Sequence, residues 1–371
     1  MSAISRAANG IRSVITDPIE RRAYASRLKW LMHGSEGMQA WSLEYRAGLT
    51  GRFAIDVERI APDEEIVRHC PDDCGAHAPL SHLYERRFAY RTTKTVASTA
   101  SGATLMCGSA QPPYFIRESI SWPFESILSH GLDIPTTAQA ATTITEPSTI
   151  FPTTANYYHW LIEELPLVLR AHQVDPSTQL VAFDEGITDR HRLVADHLGL
   201  ALKPAPIVVR LDQQLLPGRA SDSWFIHPTD LRNLHEFGRA FTSNEVKGAD
   251  DLIYVSRRFS RRALPAEEQL EELLAARGFR IVHLESMDWR EQVTAFASAK
   301  VIAGAHGAGL ANQVFAPQGA TLIELTNGQM FNRCFEWIAH VAGHAYRPID
   351  SDATPESGDA QRLAARILEA S

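Results

Sequence analysis

One glycine-rich stretch, residues 301–325, constrains the fold of this 371-residue chain more than any other part of the sequence. It opens at residues 301–303 with an apolar run that is typical of a buried strand. The run breaks into the sequence GAHGAG at residues 304–309, and a second periodic segment starts at Leu310. A proline and a glycine then mark a turn before another apolar run at residues 320–325. The order of strand, glycine-rich turn, helix and strand is half of an α/β unit.

The glycine-rich turn admits two interpretations. Glycines let the backbone come close to a phosphate, and the N-terminus of the next helix offers free N–H groups and a positive dipole end. The spacing G-x-x-G-x-G is neither the dinucleotide-binding fingerprint nor a P-loop. The turn therefore indicates either a phosphate contact or a tight connection between a strand and a helix.

Composition excludes several classes of protein. Hydrophobic residues make up 44% of the chain and charged residues 22%, which is ordinary for a globular protein long enough for two domains. The net charge of -8 argues against bulk nucleic-acid binding and against a polybasic membrane patch. No stretch approaches the roughly 20 apolar residues of a membrane span, and the first residues lack the apolar core of a signal peptide. We therefore expect no transmembrane segment and a cytoplasmic location.

The four cysteines are few and scattered, as expected of a reducing compartment. Two of them, Cys70 and Cys74, lie between His69 and His77, so these four residues could be drawn as a zinc site. Structural zinc sites usually combine a cysteine pair with a second, distant pair of ligands. The flanking histidines would be a cramped second pair, and the spacing favours a polar loop with free thiols.

Strand and helix patterns alternate along most of the chain. In the first half, buried strands are predicted at residues 180–183 and 207–210, with a helix at residues 189–198 between them. In the second half, strands are predicted at residues 252–255 and 279–284 and helices at residues 266–276 and 288–299, the last of which begins with a capping box of Asp288 and Glu291. The short loops predict parallel sheets with right-handed crossovers, in which ligands bind at the carboxyl ends of the strands.

A second motif lies at residues 156–166, with the sequence NYYHWLIEELP. Helical spacing places His159 and Glu163 on one face, four residues apart. A carboxylate one turn from a histidine can fix its tautomer and raise its basicity, which suits a general base. The same pattern fits a buried aromatic helix with a hydrogen-bonded histidine, and both interpretations stay open.

Two arginines follow the strand predicted at residues 252–255. In a parallel sheet Arg257 and Arg258 would lie at the same edge as the glycine-rich turn, which makes them candidate phosphate partners. Arg261 and Arg262 follow closely, so a solvated basic turn is the alternative.

The two motifs together resemble the family-61 glycosyltransferases. The first hallmark is Asn-x-x-His-Trp-Leu-Ile-Glu-x-x-Pro at residues 156–166. The positions of the second hallmark are Tyr254, Arg257, Arg258, Arg262, Gln292, His306, Gly307, Ala308, Gly309, Leu310, Asn312 and Glu324. Family members often carry Asn-Glu a few residues after the arginines, where this chain has Pro265 and Ala266. The contact that this pair makes with the nucleotide-sugar donor is therefore not carried over, although Glu267 and Glu268 could substitute.

The resemblance implies a GT-B architecture, in which two Rossmann-like α/β domains face each other across a cleft. It implies transfer of a sugar, with inversion, from a nucleotide-sugar donor that we expect to be UDP-linked. The C-terminal domain would bind the donor, and the N-terminal domain an oligo- or polysaccharide acceptor, free or lipid-linked. The expected role is bacterial capsular or other surface-polysaccharide synthesis, in the cytoplasm or peripherally at the inner membrane face.

Domain boundaries follow from this architecture and from the alternating patterns. The predicted segments are residues 1–94 as an extension of the acceptor domain, 95–216 as the Rossmann-like acceptor domain, 217–249 as a connection, 250–345 as the nucleotide-sugar domain and 346–371 as a C-terminal helix.

Inverting transfer needs a base for the acceptor proton and a stabiliser for the departing pyrophosphate. His159, oriented by Glu163, is the candidate base, and His306 is the alternative as base or phosphate ligand. No Asp-x-Asp motif precedes the nucleotide unit, so we expect neither metal nor other cofactor. Glu324 is a candidate for the ribose hydroxyls. The candidate donor-binding residues are Arg257, Arg262, His306, Gly307, Ala308, Gly309, Asn312 and Glu324, and those on the acceptor side are Asn156 and Trp160.

Two other function classes stay open. One is a GT-B transferase of another family, which the Asn-x-x-His-Trp hallmark argues against. The other is a catalytically silent glycan-binding homologue, which a donor-hydrolysis assay would separate from an enzyme.

Overall fold

The structure is a computed structural model that describes residues 142–206, 208–217, 226–242, 252–326, 333–351 and 360–371, and short strands between residues 57 and 115. Cys70, Cys74 and His77, the residues of the possible zinc site besides His69, lie outside the described residues.

Contacts within the chain divide it into two compact units. The first unit comprises residues 1–65, 86–155 and 167–219, and the second comprises residues 66–85, 156–166 and 220–371. The sequence prediction placed the His159 motif in the N-terminal block, whereas residues 156–166 group by their contacts with the second unit.

Eleven strands precede residue 218 in the described part of the chain. They are β1 (Val57–Arg59), β2 (Arg68–His69), β3 (His82–Leu83), β4 (Ala89–Ser98), β5 (Ala103–Met106), β6 (Tyr114–Phe115), β7 (Thr142–Ile144), β8 (Ser148–Ile150), β9 (Gln179–Phe183), β10 (Leu202–Ala205) and β11 (Val208–Pro217). Nine of them form one sheet in the order β10-β9-β8-β11-β4-β5-β6, with β1 paired to β4 and β7 to β11, while β2 and β3 pair separately.

The nine-stranded sheet is parallel in one half and antiparallel in the other. Strands β10, β9, β8 and β11 run parallel to one another, and β7 is parallel to β11. Strands β1, β4, β5 and β6 add antiparallel pairs. A core of aliphatic and aromatic side chains fills the parallel half, comprising Ile144, Ile150, Val181, Phe183, Ala205, Val209 and Leu211.

Regular helices lie in both units. In chain order they are α1 (Tyr157–His159), α2 (Leu165–Val174), α3 (Asp189–Leu198), α4 (Pro228–Arg239), α5 (Glu267–Ala275), α6 (Trp289–Ala297), α7 (Cys334–Ala342) and α8 (Ala360–Ala370). Among the described residues, no helix is both long enough and apolar enough to cross a membrane.

Helix α3 confirms the prediction for residues 189–198, and its ends have a physical cause. Thr188 and His191 form a capping box, and Gly199 ends the helix in the left-handed conformation with a φ of 66°. Strand β10, however, was not predicted, so α3 connects β9 to β10 and not to β11. Its sequence LKPA contains a lysine and Pro204, which fit an edge strand but hide the alternating pattern.

The second unit contains a parallel sheet of five strands. They are β12 (Leu252–Val255), β13 (Arg280–Val282), β14 (Val301–Ala305), β15 (Thr321–Thr326) and β16 (Ala345–Asp350), in the order β13-β12-β14-β15-β16. The predicted strand at residues 252–255 is confirmed, as is the capping box of Asp288 and Glu291 at the start of α6. With the parallel half of the first sheet, this sheet gives the chain its α/β character.

The C-terminal segment differs from the predicted helix at residues 346–371, because it begins with strand β16. The sequence AYRPID of β16 has an arginine and a proline, and Arg347 and Pro348 are exposed at the edge of the sheet, so no apolar alternation signals the strand. Helix α8 follows and packs on the core of the second unit through Leu363 and Ile367.

The segment after the glycine-rich turn is a 3-10 helix, Ala308–Phe315, and not a regular α-helix. Pro317 follows closely and ends the helix, and at eight residues it is longer than most 3-10 connecting helices. Helix α4 lies against it. A Cβ atom added to Gly238 of α4 would lie 2.3 Å from Cδ1 of Phe315, so the two helices meet where no side chain fits.

We expect Gly238→Ala to destabilise the protein, although glycine-to-alanine changes in helices usually stabilise them by up to about 1 kcal/mol. The added methyl group overpacks the contact with Phe315, which typically costs about 1–3 kcal/mol. The measurement is the midpoint of urea unfolding, with Glu236→Ala at an exposed position of α4 as the control. A Gly238→Ala midpoint equal to or above that of the wild type would contradict this packing.

Candidate functional site

Polar residues follow three neighbouring strands of the second sheet where each strand ends. Arg257 lies two residues after β12, His306 comes directly after β14, and Glu324 lies near the end of β15. Because β12, β14 and β15 are adjacent and parallel, these residues meet at one edge of the sheet. The structure thus brings together three candidates that are far apart in the sequence.

A buried carboxylate holds the His306 side chain. Glu324 is 1% exposed, and its Oε1 lies 2.5 Å from Nδ1 of His306. Its Oε2 accepts a hydrogen bond of 2.7 Å from the hydroxyl of Tyr346, whose pKa is raised by burial and by the charge of Glu324. Because an ionised carboxylate only accepts hydrogen bonds, the neutral imidazole carries its proton on Nδ1 and presents a lone pair on Nε2.

The second ring nitrogen of His306 is open to a ligand. Within the described residues Nε2 makes no hydrogen bond, and the side chain is 13% exposed. The ring of Phe335 packs against the imidazole with 5.0 Å between centroids and restricts its orientation. An oriented imidazole with a fixed tautomer and an accessible Nε2 is suited to general-base chemistry.

The same contacts argue against the predicted contact between Glu324 and the ribose hydroxyls of a donor. Both oxygens of Glu324 are bonded within the protein, and its side chain is almost completely buried. The position of Glu324 fits an orienting function toward His306.

Arg257 lies beside the pair formed by His306 and Glu324. Its guanidinium donates a hydrogen bond to the carbonyl oxygen of His306, and its Nε lies 3.3 Å from Oγ of Ser260. A Cβ atom added to Gly307 would lie 3.0 Å from Nη1 of Arg257. Glycine at position 307 is therefore explained by the close approach of a guanidinium group.

Arg257 lies near charges of both signs. Burial lowers the pKa of Arg257, and the nearby positive charge of Arg262 lowers it further, while Glu267 and Glu285 oppose this effect. The Arg262 side chain is exposed. Two like charges held near each other at the end of a strand repel, and a bound anion would relieve that repulsion.

Arg258 has different surroundings from Arg257. Its guanidinium forms ion pairs of 2.5 Å with Glu268 and 3.5 Å with Glu271, both on α5. It also lies over the ring of Phe259, with 5.6 Å from Cζ to the ring centroid. The predicted pair of arginines thus separates into one side chain at the sheet edge and one bonded to α5.

Three consecutive backbone N–H groups lie at the start of the 3-10 helix. Those of Gly307, Ala308 and Gly309 donate no hydrogen bond within the part of the chain that the structure describes. The N–H group of His306, by contrast, donates to the carbonyl oxygen of Leu325 at 2.9 Å. Together with Arg257, the three free N–H groups supply donors of the kind that bind phosphate oxygens.

Packing explains the other two glycines of the turn. A Cβ atom at Gly304 would lie 2.9 Å from the carbonyl oxygen of Val255, and one at Gly309 would lie 2.5 Å from Cδ1 of Leu284. The two interpretations of the turn are therefore compatible, because its glycines serve close packing while its N–H groups stay available.

The His159 motif forms an irregular helix. Asn156 caps α1 by accepting a hydrogen bond of 3.0 Å from the N–H group of Tyr158. The chain then continues as a π-helix over Trp160–Glu164. Pro166, the second residue of α2, lacks an N–H group, and its ring would clash with the carbonyl group four residues back in a regular helix. The wider π turn avoids that clash and is a feature that often occurs at functional sites.

His159 and Glu163 contact each other across this turn, as the helical spacing predicts. Nδ1 of His159 lies 2.7 Å from Oε1 of Glu163, and the two side chains are 8% and 7% exposed. The rings of Tyr158 and Phe335 pack edge-on with 5.7 Å between centroids, and Tyr158 also contacts His159. Since Phe335 also contacts His306, the two histidine–carboxylate pairs adjoin one aromatic cluster in the second unit.

Asn312 is completely buried and bonded within the protein. Its Oδ1 accepts a hydrogen bond of 2.5 Å from the hydroxyl of Tyr157, and its Nδ2 donates to Oε1 of Gln292 at 3.2 Å. The Nε1 atom of Trp289 donates to the same Tyr157 hydroxyl at 3.1 Å. Asn312 therefore links α1, the 3-10 helix and α6 through hydrogen bonds. The sequence prediction instead placed it in contact with the nucleotide-sugar donor.

The two residues predicted on the acceptor side differ in accessibility. Asn156 is exposed and serves as the cap of α1. Trp160 is 0% exposed, and its ring packs edge-on against Trp289 with 5.4 Å between centroids. Since its ring is buried, Trp160 fits a packing role and offers no surface for a sugar.

Sequence reasoning missed Tyr346, Tyr157 and Phe335. Tyr346 reaches Glu324 only because β16 pairs with β15, and no local pattern signals that pairing. Tyr157 lies within the predicted motif, but its partner Asn312 is 155 residues away. In the described ranges, no three histidine, cysteine, aspartate or glutamate side chains are grouped as metal ligands would be.

Comparison with known proteins bears on the same residues. Residues 157–323 match the family model described as Glycosyltransferase 61, from the start of α1 into β15. The match contains both candidate histidines, Arg257 and the glycine-rich turn. A search of curated proteins finds no match to the chain. The match over residues 157–323 supports membership of the glycosyltransferase 61 family.

Proposed function

We propose that this protein is an inverting glycosyltransferase that moves a sugar from a nucleotide-sugar donor, UDP-linked, to an oligo- or polysaccharide acceptor. Family membership supports the transfer of a sugar. The observation that carries the proposal is that hydrogen-bond donors able to bind phosphate lie at the same sheet edge as an oriented imidazole. The donors are Arg257 and the N–H groups of residues 307–309, and the imidazole is that of His306.

The chemistry of inversion is a single displacement at the anomeric carbon. The acceptor hydroxyl loses its proton to a base as its oxygen bonds to that carbon, and the bond to the diphosphate breaks with its electron pair. We assign the base to Nε2 of His306, because that atom has an exposed lone pair and a carboxylate behind the ring. Glu324 would stabilise the imidazolium ion that forms.

The departing nucleoside diphosphate needs positive charge and hydrogen-bond donors. Arg257 and the three N–H groups would supply this charge and these donors. Arg262, whose side chain is exposed, would add a second positive charge. Hydrogen bonds to charged groups contribute roughly 1.5–3 kcal/mol each, so a few of them can stabilise the leaving group without a metal ion.

The wider setting is part of the same proposal. Each unit has a sheet with parallel strands, which supports a GT-B-like arrangement with the donor in the second unit and the acceptor in the first. The role that we propose is bacterial capsular or other surface-polysaccharide synthesis. A lipid-linked acceptor would bring the enzyme to the inner face of the membrane.

We expect Arg257→Ala to weaken the binding of UDP by about 10- to 150-fold, the value of one hydrogen bond to a charged group. The measurement is isothermal titration calorimetry with UDP. Arg277→Ala, at an exposed position after α5, removes the same charge away from the carboxyl ends of the strands and serves as the control. Equal UDP affinities in the two variants would make Arg257 a structural residue of the turn.

We expect His306→Ala to lower turnover by roughly 10²–10⁴-fold, the usual contribution of a general base, with UDP affinity retained. His159→Ala should mainly lower the melting temperature, because His159 is buried beside Glu163 and Tyr158. Turnover and melting temperature are measured on the same preparations. The reverse pattern would make His159 the base, and a parallel loss of UDP affinity in His306→Ala would make His306 a phosphate ligand.

Transfer should persist in EDTA, because the leaving group is stabilised by Arg257 and backbone N–H groups. The measurement is the initial rate of sugar transfer, or of donor hydrolysis, with and without chelator. A complete loss of activity that manganese restores would show that the reaction needs a metal ion. A protein that binds glycans but never turns over a donor would be the catalytically silent homologue.

A further inference from the structure

Phe259 is the one large hydrophobic side chain that is exposed among the described residues, with 67% of its surface accessible. Single exposed hydrophobic residues are common on protein surfaces, so its exposure alone carries no function. Its position in the fold is more informative than its exposure.

The ring of Phe259 projects from the same turn as the proposed phosphate-binding arginine. The turn closes with a hydrogen bond of 2.8 Å from the N–H group of Ser260 to the carbonyl oxygen of Arg257. The Arg257 side chain also bonds Oγ of Ser260. Phe259 is therefore tied by a short, closed loop to the guanidinium that we assign to the diphosphate.

Two neighbours support the ring and leave most of it accessible. The ring of His283, directly after β13, lies 5.0 Å from that of Phe259 between centroids. The guanidinium of Arg258 lies over the ring and is itself anchored by Glu268 and Glu271. The aromatic surface is thus held over the carboxyl ends of β12 and β13, the edge at which ligands of parallel sheets bind.

We propose that Phe259 is the stacking platform for the nucleobase of the donor. The inference rests on the proposed function, because it needs a nucleoside diphosphate bound at Arg257. When the diphosphate is bound at Arg257, the ribose separates the nucleobase from the diphosphate. The adjacent Phe259 then offers a flat aromatic surface to the base. Stacking of a base on an aromatic side chain tolerates different bases, so Phe259 supplies affinity for the nucleoside and leaves the choice of base to other contacts.

A membrane surface would be a different occupant, and the surroundings favour it less. The adjacent Arg258 is already paired with Glu268 and Glu271, so its charge is partly neutralised. The chain has a net charge of -8, and Phe259 is a single apolar side chain, whereas membrane attachment usually needs a larger apolar area or a basic patch. A third occupant, the sugar ring of the acceptor, is distinguished by the experiment.

Isothermal titration calorimetry of the wild type, Phe259→Ala and Phe259→Trp tests the proposal. The probes are UDP, GDP and ADP, and inorganic pyrophosphate. For the nucleotide that the wild type binds most tightly, Phe259→Ala should lower the affinity about 5- to 150-fold, the range of one base–aromatic stack. Pyrophosphate affinity should stay unchanged in both variants, and Phe259→Trp should restore nucleotide binding.

Several results would overturn the proposal. Equal nucleotide affinity in Phe259→Ala and wild type would remove Phe259 from the donor site, and an accompanying rise in the acceptor KM would assign the ring to the acceptor. Equal losses for nucleotide and pyrophosphate would show that the substitution only disturbs the turn of Arg257. A wild type that binds none of the three nucleotides would overturn the proposed donor class as well, so the two failures are distinct. Unchanged melting temperatures and unchanged binding to anionic vesicles are the controls.

Discussion

The carboxylate of Glu324 is shared between two side chains, and the organisation of the site depends on it. A buried charge is costly unless hydrogen bonds compensate for it, and here His306 and Tyr346 provide one bond to each oxygen. These bonds fix the tautomer of the imidazole. They also require β14, β15 and β16 to lie side by side, since Glu324 and Tyr346 lie in β15 and β16 and His306 directly follows β14.

A second set of contacts extends from the same strand end. The guanidinium of Arg257 bonds the carbonyl oxygen of His306 and lies against Gly307, where a Cβ atom would crowd it. The imidazole is therefore next to the N–H groups of residues 307–309 in the chain and next to the guanidinium of Arg257 in space. The proposed transfer needs this proximity, because the base and the donors to the leaving group would act in one step.

The sequence predicted much of the second sheet and less of the side-chain arrangement. Apolar runs such as residues 252–255 and the capping box of α6 are local signals, and both are confirmed. Strands β10 and β16 were missed because prolines and charged residues at sheet edges hide the alternation. The partners of Glu324 and Asn312 lie far away in the chain, so local sequence patterns do not reveal them. Both residues were predicted to contact the donor, whereas the structure places both in internal hydrogen bonds.

The most direct test of the central claim is the turnover of Glu324→Gln at saturating donor and acceptor, compared with Tyr346→Phe. A glutamine amide can donate to Nδ1 of His306, which would place the imidazole proton on Nε2 and remove the lone pair. The account predicts that Glu324→Gln lowers kcat by roughly 10²–10⁴-fold with UDP affinity retained, whereas Tyr346→Phe, which keeps the carboxylate, loses much less. Near wild-type turnover in a folded Glu324→Gln enzyme would contradict the claim that this carboxylate prepares His306 as the base.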